Sequence, residues 1–528
     1  MFWLDRVYEQ ASSALKNKIE SGETLLVRDE KTASGHVHVG SMRALVLHAA
    51  IAERLDEAGI KNVFKFEIND IDPMDGIPAY LDEATYGPYR GKPLFRIPSP
   101  DASSKSYADY FGDQYIEDIH TAKFFPEFYR GSELYRSGQM NNAIRLALER
   151  AEIVQRIYLE VSNANRPGWF PLSVICEQCG KIGTTKVSAF DGEKVTYTCE
   201  PRMVAWAEGC GHRGSVSPFD GNAKLPWKIE WAAKWFTLGV DIEGGGKDHY
   251  SKGGARDVAE RVSKEVFEYD PPFGVPNEFF LVGGKKMSSS KGQGYTASDM
   301  VKLVPPRMLR LALFQKDVNQ QINFDPTGDT IPVLFDTYDR LAAKYFEDVE
   351  DDDTRLFLYA HPPDERKNVS KRYLPRFSSI AFLVQMPHLD LLEEVSKMKG
   401  DELTAEDVKE VELRAKYARL WLERAASDDF KYSLQRESVP DGAKLFTDAQ
   451  KQALKHVRSY VETHKTLDGQ ELHTALHEIR QEHELEPKDF FGALYISFLG
   501  KPSGPKAGWF LSVLDRSLLL SRLKEVST

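Results

Sequence analysis

The chain of 528 residues has little cysteine and no long apolar run. No stretch reaches the roughly 18–20 consecutive apolar residues that a membrane-spanning helix needs, which excludes a helical integral membrane protein. Four cysteines in a chain of this length exclude a disulfide scaffold. No segment repeats at a fixed period, which excludes a solenoid or a propeller. The first residues, Met1–Asp5, lack the basic and apolar regions of a secretion signal, so we expect a cytoplasmic protein without a membrane partner.

The chain also has fewer positively than negatively charged residues. Lysine and arginine number 69 against 80 aspartate and glutamate residues, giving a net charge of −11. A nucleic-acid partner would therefore have to be held by local basic patches, because the field of the whole protein repels it. Hydrophobic residues make up 41% of the chain and charged residues 28%, a balance typical of globular proteins. At roughly 100–200 residues per domain, we expect about three or four domains.

The N-terminal region shows the pattern of a strand, a helix and a second strand. Residues 23–28 form a short apolar-rich run, and residues 62–68 form another. Between them, Leu45, Ala49 and Leu55 recur on one helical face. This βαβ pattern predicts a parallel sheet. A further buried strand is predicted at 278–282, beyond a mostly helical and cysteine-bearing stretch, so the simplest fold is an α/β sheet domain split by an insertion.

A turn rich in glycine and histidine follows the first strand. Gly35 and Gly40 allow a ligand to approach the backbone closely. The helix that begins after Gly40 offers free N–H groups and the positive end of its dipole, which favour phosphate. His36 and His38 can donate hydrogen bonds to phosphate oxygens. The alternative is a turn with two incidental histidines.

A second motif follows the last predicted strand. Two lysines, Lys286 and Lys291, bracket Met287 and the three serines Ser288, Ser289 and Ser290. A cationic loop rich in hydroxyl donors suits a triphosphate and the pyrophosphate that leaves it. The alternative is a solvated linker, against which the short apolar strand before the loop argues.

With both motifs in this order, the sequence resembles the class I aminoacyl-tRNA synthetases. Residues 38–41 are similar to their HIGH signature and residues 286–291 to their KMSKS signature. Within that class the chain resembles the class I lysyl-tRNA synthetases, through residues 132–138, 226–235 and 246–249. The resemblance implies a Rossmann-like catalytic domain split by a zinc-containing insertion and followed by an all-α anticodon-binding region. It divides the chain into 1–110 and 216–300 (catalytic halves), 111–215 (insertion), 301–345 (connector) and 346–528 (anticodon-binding helices).

The resemblance also implies the reaction and its partners. We expect ATP-dependent attachment of L-lysine to tRNA through lysyl-adenylate, with Mg²⁺ accompanying ATP, by a monomer. The implied catalytic residues are His36, His38, Lys286 and Lys291. The implied ATP-binding residues are Ser34, Gly35, Gly40, Ser41, Gly246, Asp248, Met287, Ser288, Ser289 and Ser290, with Asp248 on the ribose hydroxyls.

The amino-acid pocket is where the sequence departs from the family. Carried over by position, the pocket involves Thr32, Trp227 and His249, but Glu30 and Asn277 stand where the family often has glycine and tyrosine. A buried ammonium group needs a carboxylate partner. Glu30, Asp70 and Asp72 lie at the ends of predicted strands, where ligands of open α/β sheets bind. We expect Glu30 to accept from the ε-ammonium group and Asp70 to hold the α-amino group, and the alternative for these acids is surface charge or helix capping.

Two other functions stay open. The departures at Glu30 and Asn277 leave room for a class I synthetase specific for arginine or glutamate. A synthetase-like regulatory protein that binds tRNA without charging it is the other, although a pure binder has no use for the lysine loop. In the C-terminal part, Phe491, Tyr495, Trp509 and Phe510 are candidates for stacking on anticodon bases, and each also suits a helical core.

The four cysteines have the spacing of a metal site. Cys176 and Cys179 form a CxxC pair, Cys199 follows after 19 residues and Cys210 after 10 more. Four thiolates can close a tetrahedral zinc site, which would be structural because it leaves no open position. His212 could replace either of the last two cysteines. The alternative is a set of buried thiols without metal.

The lysine loop gives a direct test of the expected chemistry. Lys286→Ala removes a charge that would stabilise the departing pyrophosphate, so it should lower the rate of adenylate formation and change ATP affinity less. Pre-steady-state measurement of adenylate formation separates the two effects. Activation at the wild-type rate would contradict the role of this lysine.

Overall fold

The computed structural model describes residues 1–284, 294–386 and 389–528. They form two compact units, one of Met1–Asp325 with Arg340–Val369 and the other of Pro326–Asp339 with Ser370–Thr528. The finer division into five segments stays a prediction. No helix of these described residues is long and apolar enough to cross a membrane.

The first unit contains all the strands of the described residues. They are β1 (Leu25–Thr32), β2 (Asn62–Asn69), β3 (Glu127–Arg130), β4 (Ser173–Val174), β5 (Thr185–Phe190), β6 (Val195–Cys199), β7 (Arg213–Val216), β8 (Ala223–Lys224), β9 (Gly245–Gly246), β10 (Pro276–Asn277), β11 (Phe280–Val282) and β12 (Ile322–Phe324).

Helices surround these strands. Those before α13 are α1 (Trp3–Ala14), α2 (Lys16–Glu20), α3 (Met42–Glu57), α4 (Glu83–Tyr86), α5 (Tyr107–Thr121), α6 (Gly131–Arg136), α7 (Asn141–Glu149), α8 (Ala151–Ser162), α9 (Trp227–Leu238), α10 (Ala255–Glu265), α11 (Ala297–Leu303) and α12 (Pro306–Phe314). Next come α13 (Thr330–Tyr345), whose residues are divided between the two units, then α14 (Asp352–Ala360) and α15 (Pro363–Arg366).

The predicted parallel sheet is confirmed. β1 pairs in parallel with β2, and β2 pairs in parallel with β3. On the other edge of β1, Val27 bridges Ile242, which in turn bridges Phe273, both in parallel. The helix between β1 and β2 is α3, and its predicted apolar face is buried, including Leu45 and Leu55. The carboxyl ends of β1, β2 and β3 therefore open at one edge of the sheet, where a ligand of such a fold binds.

The cysteine-bearing stretch forms a separate small sheet. β5, β6 and β7 pair in antiparallel order. Val187, Val195 and Tyr197 are buried on its inner side. Strand alternation explains the exposed residues between them.

The second unit is helical in its described residues. Besides its part of α13, its helices are α16 (Phe377–Leu383), α17 (Leu391–Lys399), α18 (Ala405–Arg424), α19 (Asp448–Thr463), α20 (Gly469–Glu482), α21 (Pro487–Leu499), α22 (Ala507–Ser512) and α23 (Arg516–Ser527). One hydrophobic core joins α19 to α23, and Phe510 lies fully inside it. Phe510 is therefore unavailable for base stacking. Phe491 and Trp509 are only partly buried at the border of that core.

Candidate active site

The glycine- and histidine-rich turn connects β1 to α3, as the sequence predicts. Gly35 has a φ of 153°, which favours glycine over other residues. The His36 N–H donates to Tyr80 Oη at 2.7 Å, and His36 Nδ1 lies 2.6 Å from Gln114 Oε1. A short 3₁₀ turn, Val39–Ser41, leads into α3. These contacts hold the backbone of the turn, which carries Ser34, Gly40 and Ser41, next to the first N–H groups of α3.

The turn lies against the segment that follows the second motif. The Val39 N–H donates to Tyr295 O at 3.1 Å, and the Ala297 N–H donates to Val37 O at 2.8 Å. His38 bridges Thr296 between these bonds. The predicted loop residues Lys286, Met287, Ser288, Ser289, Ser290 and Lys291 lie outside the described residues. The fold nevertheless brings the chain that leaves this loop to within hydrogen-bonding distance of the first motif.

A buried aspartate anchors the helix after that loop. Ser298 Oγ on α11 donates to Asp118 Oδ1 at 2.9 Å and to Oδ2 at 2.7 Å. Burial raises the pKa of Asp118 to about 6, although the Ser298 hydrogen bond opposes the shift. The sequence carries no local signal for this contact, because the two residues are 180 positions apart.

The Gly-Lys-Asp-His turn lies at the far edge of the sheet. Gly246 on β9 pairs with Asn277 on β10. A Cβ on the neighbouring Gly244 would lie 2.5 Å from Val275 O, so only glycine fits there. Asp248 is exposed and follows this strand in a 3₁₀ turn, Lys247–Tyr250. The ring of His249 lies 5.1 Å from that of Trp227. The ring of Trp227 thus lies beside the turn that follows β9, and their role in an amino-acid pocket stays a prediction.

Arg28 of β1 is a buried cation. Its side chain has no exposed surface. Nη2 donates to Glu67 Oε2 at 2.6 Å and to Glu30 Oε2, and Nη1 donates to Glu243 Oε1 at 2.6 Å. Nε donates to Tyr129 Oη at 2.7 Å. One guanidinium group therefore joins β1, β2, β3 and the segment after α9.

Lys234 of α9 is the second buried cation. Nζ lies 3.0 Å from Glu30 Oε2, 2.7 Å from Glu67 Oε1 and 3.4 Å from Glu230 Oε2. Burial alone would raise the pKa of Glu30, but the charges of Lys234 and Arg28 outweigh it and hold that pKa well below the usual range. Glu30 is therefore a carboxylate.

Lys224 of β8 extends the same network towards the strand ends. Its Nζ lies 2.6 Å from Glu230 Oε2 and 3.0 Å from Asp72 Oδ1. Thr32 Oγ1 donates to Asp72 Oδ2 at 2.8 Å. Burial raises the pKa of Glu230, although Lys224 and Lys234 oppose the shift. The network comprises Arg28, Lys224, Lys234, Glu30, Glu67, Asp72, Glu230 and Glu243.

Asp70 contacts a different partner from these cations. Ser132 N donates to Asp70 Oδ1 at 2.6 Å, and Ser132 Oγ donates to Oδ2 at 2.6 Å. The side chain is buried, and burial raises the pKa of its carboxyl. The structure thus places Asp70 at the start of α6. The expectation that it holds the α-amino group of a ligand stays a prediction.

Sequence reasoning missed most members of this network. Arg28, Glu67 and Lys234 were not singled out, although a charged residue inside an apolar strand is a usable signal for a buried ion pair.

Asn277 is buried, and its Oδ1 has no hydrogen-bond partner among residues 1–284, 294–386 and 389–528. Its Nδ2 donates to Glu278 O at 3.3 Å.

The four cysteines converge at one point. Their Sγ atoms all lie within 4.8 Å of one another. Cys176 and Cys210 are 3.7 Å apart, as are Cys179 and Cys199. His212 instead points to Glu177, with Nε2 3.8 Å from Oε2. The geometry therefore groups the four thiols and leaves the imidazole outside the group.

A family model described as "tRNA synthetases class I (K)" matches residues 1–362. The chain belongs to this class I tRNA synthetase family. An anticodon binding domain model matches residues 390–527 of this synthetase.

Relatives cover the synthetase from end to end. It is 32% identical to "Lysine--tRNA ligase 1" of Methanosarcina acetivorans, over 100% of this chain and 99% of the relative. It is 31% identical to "Lysine--tRNA ligase" of Archaeoglobus fulgidus, over 93% and 94% respectively. A solved glutamate tRNA ligase from Elizabethkingia meningosepticum aligns over 96% of this chain and 99% of that one, with a TM-score of 0.40 and 12% identity.

The raised pKa of Asp118 predicts a pH-dependent loss of stability. An aspartate has an ordinary pKa of 3.8, so as pH rises from about 4 to about 6 the unfolded chain loses this proton before the folded one. The wild type should therefore lose about 3 kcal/mol relative to Asp118→Asn across this window. Urea unfolding of both proteins at several pH values measures the difference.

The matched control is Glu9→Gln, at an exposed position of helix α1. It should change the free energy of unfolding by less than about 0.5 kcal/mol. A difference between Asp118→Asn and wild type that does not vary with pH would show that folding does not raise the pKa of Asp118.

Proposed function

We propose that this class I synthetase attaches L-lysine to its tRNA in two steps driven by ATP. The lysine carboxylate attacks the α-phosphate, forming an oxygen–phosphorus bond and releasing pyrophosphate. The tRNA terminal adenosine then attacks the carbonyl of lysyl-adenylate through its 2′-hydroxyl, losing its proton as AMP leaves. The observation that carries the proposal is the contact of the His36–Ser41 turn with the chain leaving the lysine loop, in a protein similar along its full length to lysine--tRNA ligases.

Catalysis in the first step would be positioning and electrostatics, without a protein nucleophile. His36, His38, Lys286 and Lys291 would stabilise charge on the triphosphate as pyrophosphate leaves. The helix N-terminus behind Gly40 adds a positive dipole end. Asp248 would accept hydrogen bonds from the ribose hydroxyls. Mg²⁺ would enter with ATP.

The amino-acid pocket would lie on the sheet face above Arg28 and Lys234. Trp227 and His249 support this placement, because their rings are in contact and Trp227 is 41% exposed. An apolar wall of this kind suits the methylene chain of lysine. Thr32 and Asn277 would supply polar contacts at its rim.

The tRNA would be read by the C-terminal helices. The anticodon binding domain match over residues 390–527 supports this. Trp509 and Phe491 remain candidates for stacking on bases because both are only partly buried. We propose that a single chain carries the whole reaction, as a monomer.

The cysteine cluster would hold a structural zinc ion. With zinc–sulfur bonds of about 2.3 Å, a tetrahedron places sulfurs about 3.8 Å apart. The 3.7 Å separations of the two pairs fit that spacing. Cys176, Cys179, Cys199 and Cys210 would be the four ligands, and such a closed site would stabilise the β5–β7 sheet without taking part in the reaction.

The function is tested by ATP–pyrophosphate exchange with each of the twenty amino acids, with and without tRNA. We expect exchange with lysine alone. Exchange with arginine or glutamate would keep the reaction and overturn the specificity. Absence of exchange with every amino acid, even with tRNA, would favour the regulatory tRNA-binding alternative.

The zinc proposal predicts different outcomes for two variants of the same region. Cys176→Ser should lose stoichiometric zinc and lower the temperature of unfolding, because a ligand is gone. His212→Gln should keep zinc, since His212 faces Glu177 instead. Metal content by mass spectrometry of the purified proteins measures both. Stoichiometric zinc in Cys176→Ser would contradict the four-cysteine site.

A further inference from the structure

The charge network has two ends that reach solvent. The side chains of Glu30 and Asp72 are 24% and 25% exposed, whereas those of Glu67, Glu230 and Glu243 are at most 2% exposed. The buried carboxylates are therefore committed to the internal cations. Only Glu30 and Asp72 can present a carboxylate oxygen of this network to a ligand.

Each of these two carboxylates is held in place by other side chains of the protein. Glu30 Oε2 accepts from both Arg28 and Lys234, and its Oε1 accepts no hydrogen bond from the described residues. Asp72 is fixed by Thr32 and Lys224. A carboxylate fixed in this way needs little reordering when a cation binds, which favours binding.

The strand sets the distance between the two sites. Glu30 and Thr32 are two residues apart on β1, so their side chains leave the same face of the sheet about 7 Å apart. The carboxylate of Asp72 accepts a hydrogen bond from the hydroxyl of Thr32. An extended lysine separates its two nitrogens by about 7 Å, from standard bond lengths. The two positions on β1, Glu30 and the residue that holds Asp72, are therefore separated by about the length of one extended lysine, roughly 7 Å.

A buried amide adds an independent sign of a missing donor. Asn69 is paired with Thr32 across β1 and β2 and lies on the same face as Glu30 and Glu67. It is 2% exposed, and its Oδ1 has no hydrogen-bond partner among the described parts of the chain. Buried acceptors in native proteins nearly always have a donor. An ammonium group beside Asp72 would supply one.

We propose that Asp72 binds the α-ammonium group of the substrate lysine and that Glu30 binds its ε-ammonium group. The order follows from the strand direction. Thr32 ends β1, and the His36–Ser41 turn follows it, so the reacting carboxylate and the neighbouring α-amino group belong at the Asp72 end. Glu30 lies two residues before Thr32 on β1, farther from the turn, where the ε-ammonium end of the lysine side chain would lie. Asp70 instead positions α6 through Ser132.

This assignment rests on the proposed function and refines it at the same site. It makes Glu30 the residue that recognises the far end of the lysine side chain. Arg28 and Lys234 act through Glu30 as positioning residues. They keep its carboxylate ionised and aimed away from the sheet.

Ligands that lack one ammonium group separate the two sites. 6-Aminohexanoic acid has the ε-ammonium but no α-amino group, and 2-aminoheptanoic acid has the reverse. Inhibition constants of both are measured in lysine-dependent ATP–pyrophosphate exchange, together with the KM for lysine. The proteins are the wild type, Glu30→Gln, Asp72→Asn and, as a matched control, Glu20→Gln on the exposed helix α2.

Glu30→Gln should raise the KM for lysine and the inhibition constant of 6-aminohexanoic acid by roughly 10- to 100-fold, and leave that of 2-aminoheptanoic acid within about twofold. Asp72→Asn should show the opposite preference between the two inhibitors. Glu20→Gln should match the wild type. Thermal unfolding of each variant checks that the network has not collapsed.

Three results would overturn the assignment. Equal losses for both inhibitors in each variant would mean a structural role alone. The reversed preference would exchange the two sites. If Glu30→Gln fails to fold, Asp72→Asn and the wild type still decide, because unchanged selectivity between the inhibitors in Asp72→Asn contradicts the proposal. A wild type without lysine-dependent exchange would instead contradict the proposed function.

Discussion

The guanidinium group of Arg28 is the constraint on which the candidate pocket depends. A buried cation of this size is tolerated only when carboxylates surround it, and Glu30, Glu67 and Glu243 do so from three segments of chain. A Cβ at Gly131 would lie 2.6 Å from Glu67 Oε1, so a larger residue at the start of α6 would displace a carboxylate of this network. The charge of Arg28 therefore links the positions of β1, β2 and the segment that follows α9.

The same network places both charged and apolar groups beside the candidate pocket. Tryptophans of α9 contribute through their indole N–H groups, since Trp231 and Trp235 both donate to Glu243. Their rings, together with Trp227, form an apolar wall beside the charges. A long aliphatic ligand with a cationic end meets both requirements. The first nucleotide motif, by contrast, depends on the placement of the backbone at the end of β1.

Much of this fold could be predicted from the sequence. Apolar runs and helical periodicity around residues 23–68 predict the parallel sheet, because such patterns report which face of each element is buried. The order of the two nucleotide motifs and the cysteine spacing are likewise local signals. The five-segment division and the roles of individual site residues, including those of the lysine loop, stay predictions.

The sequence by itself determined the class of fold and the reaction expected of it, since both follow from short motifs, whereas the nucleotide- and metal-binding residues stay predictions. Only the tertiary structure decided which charges meet. Glu30 and Lys234 are 204 residues apart, and their contact depends on α9 packing over β1. Asp70 and Asp72 look equivalent in the sequence, yet one binds Ser132 and the other Thr32 and Lys224. Ion pairs between distant segments follow from packing, which no local pattern encodes.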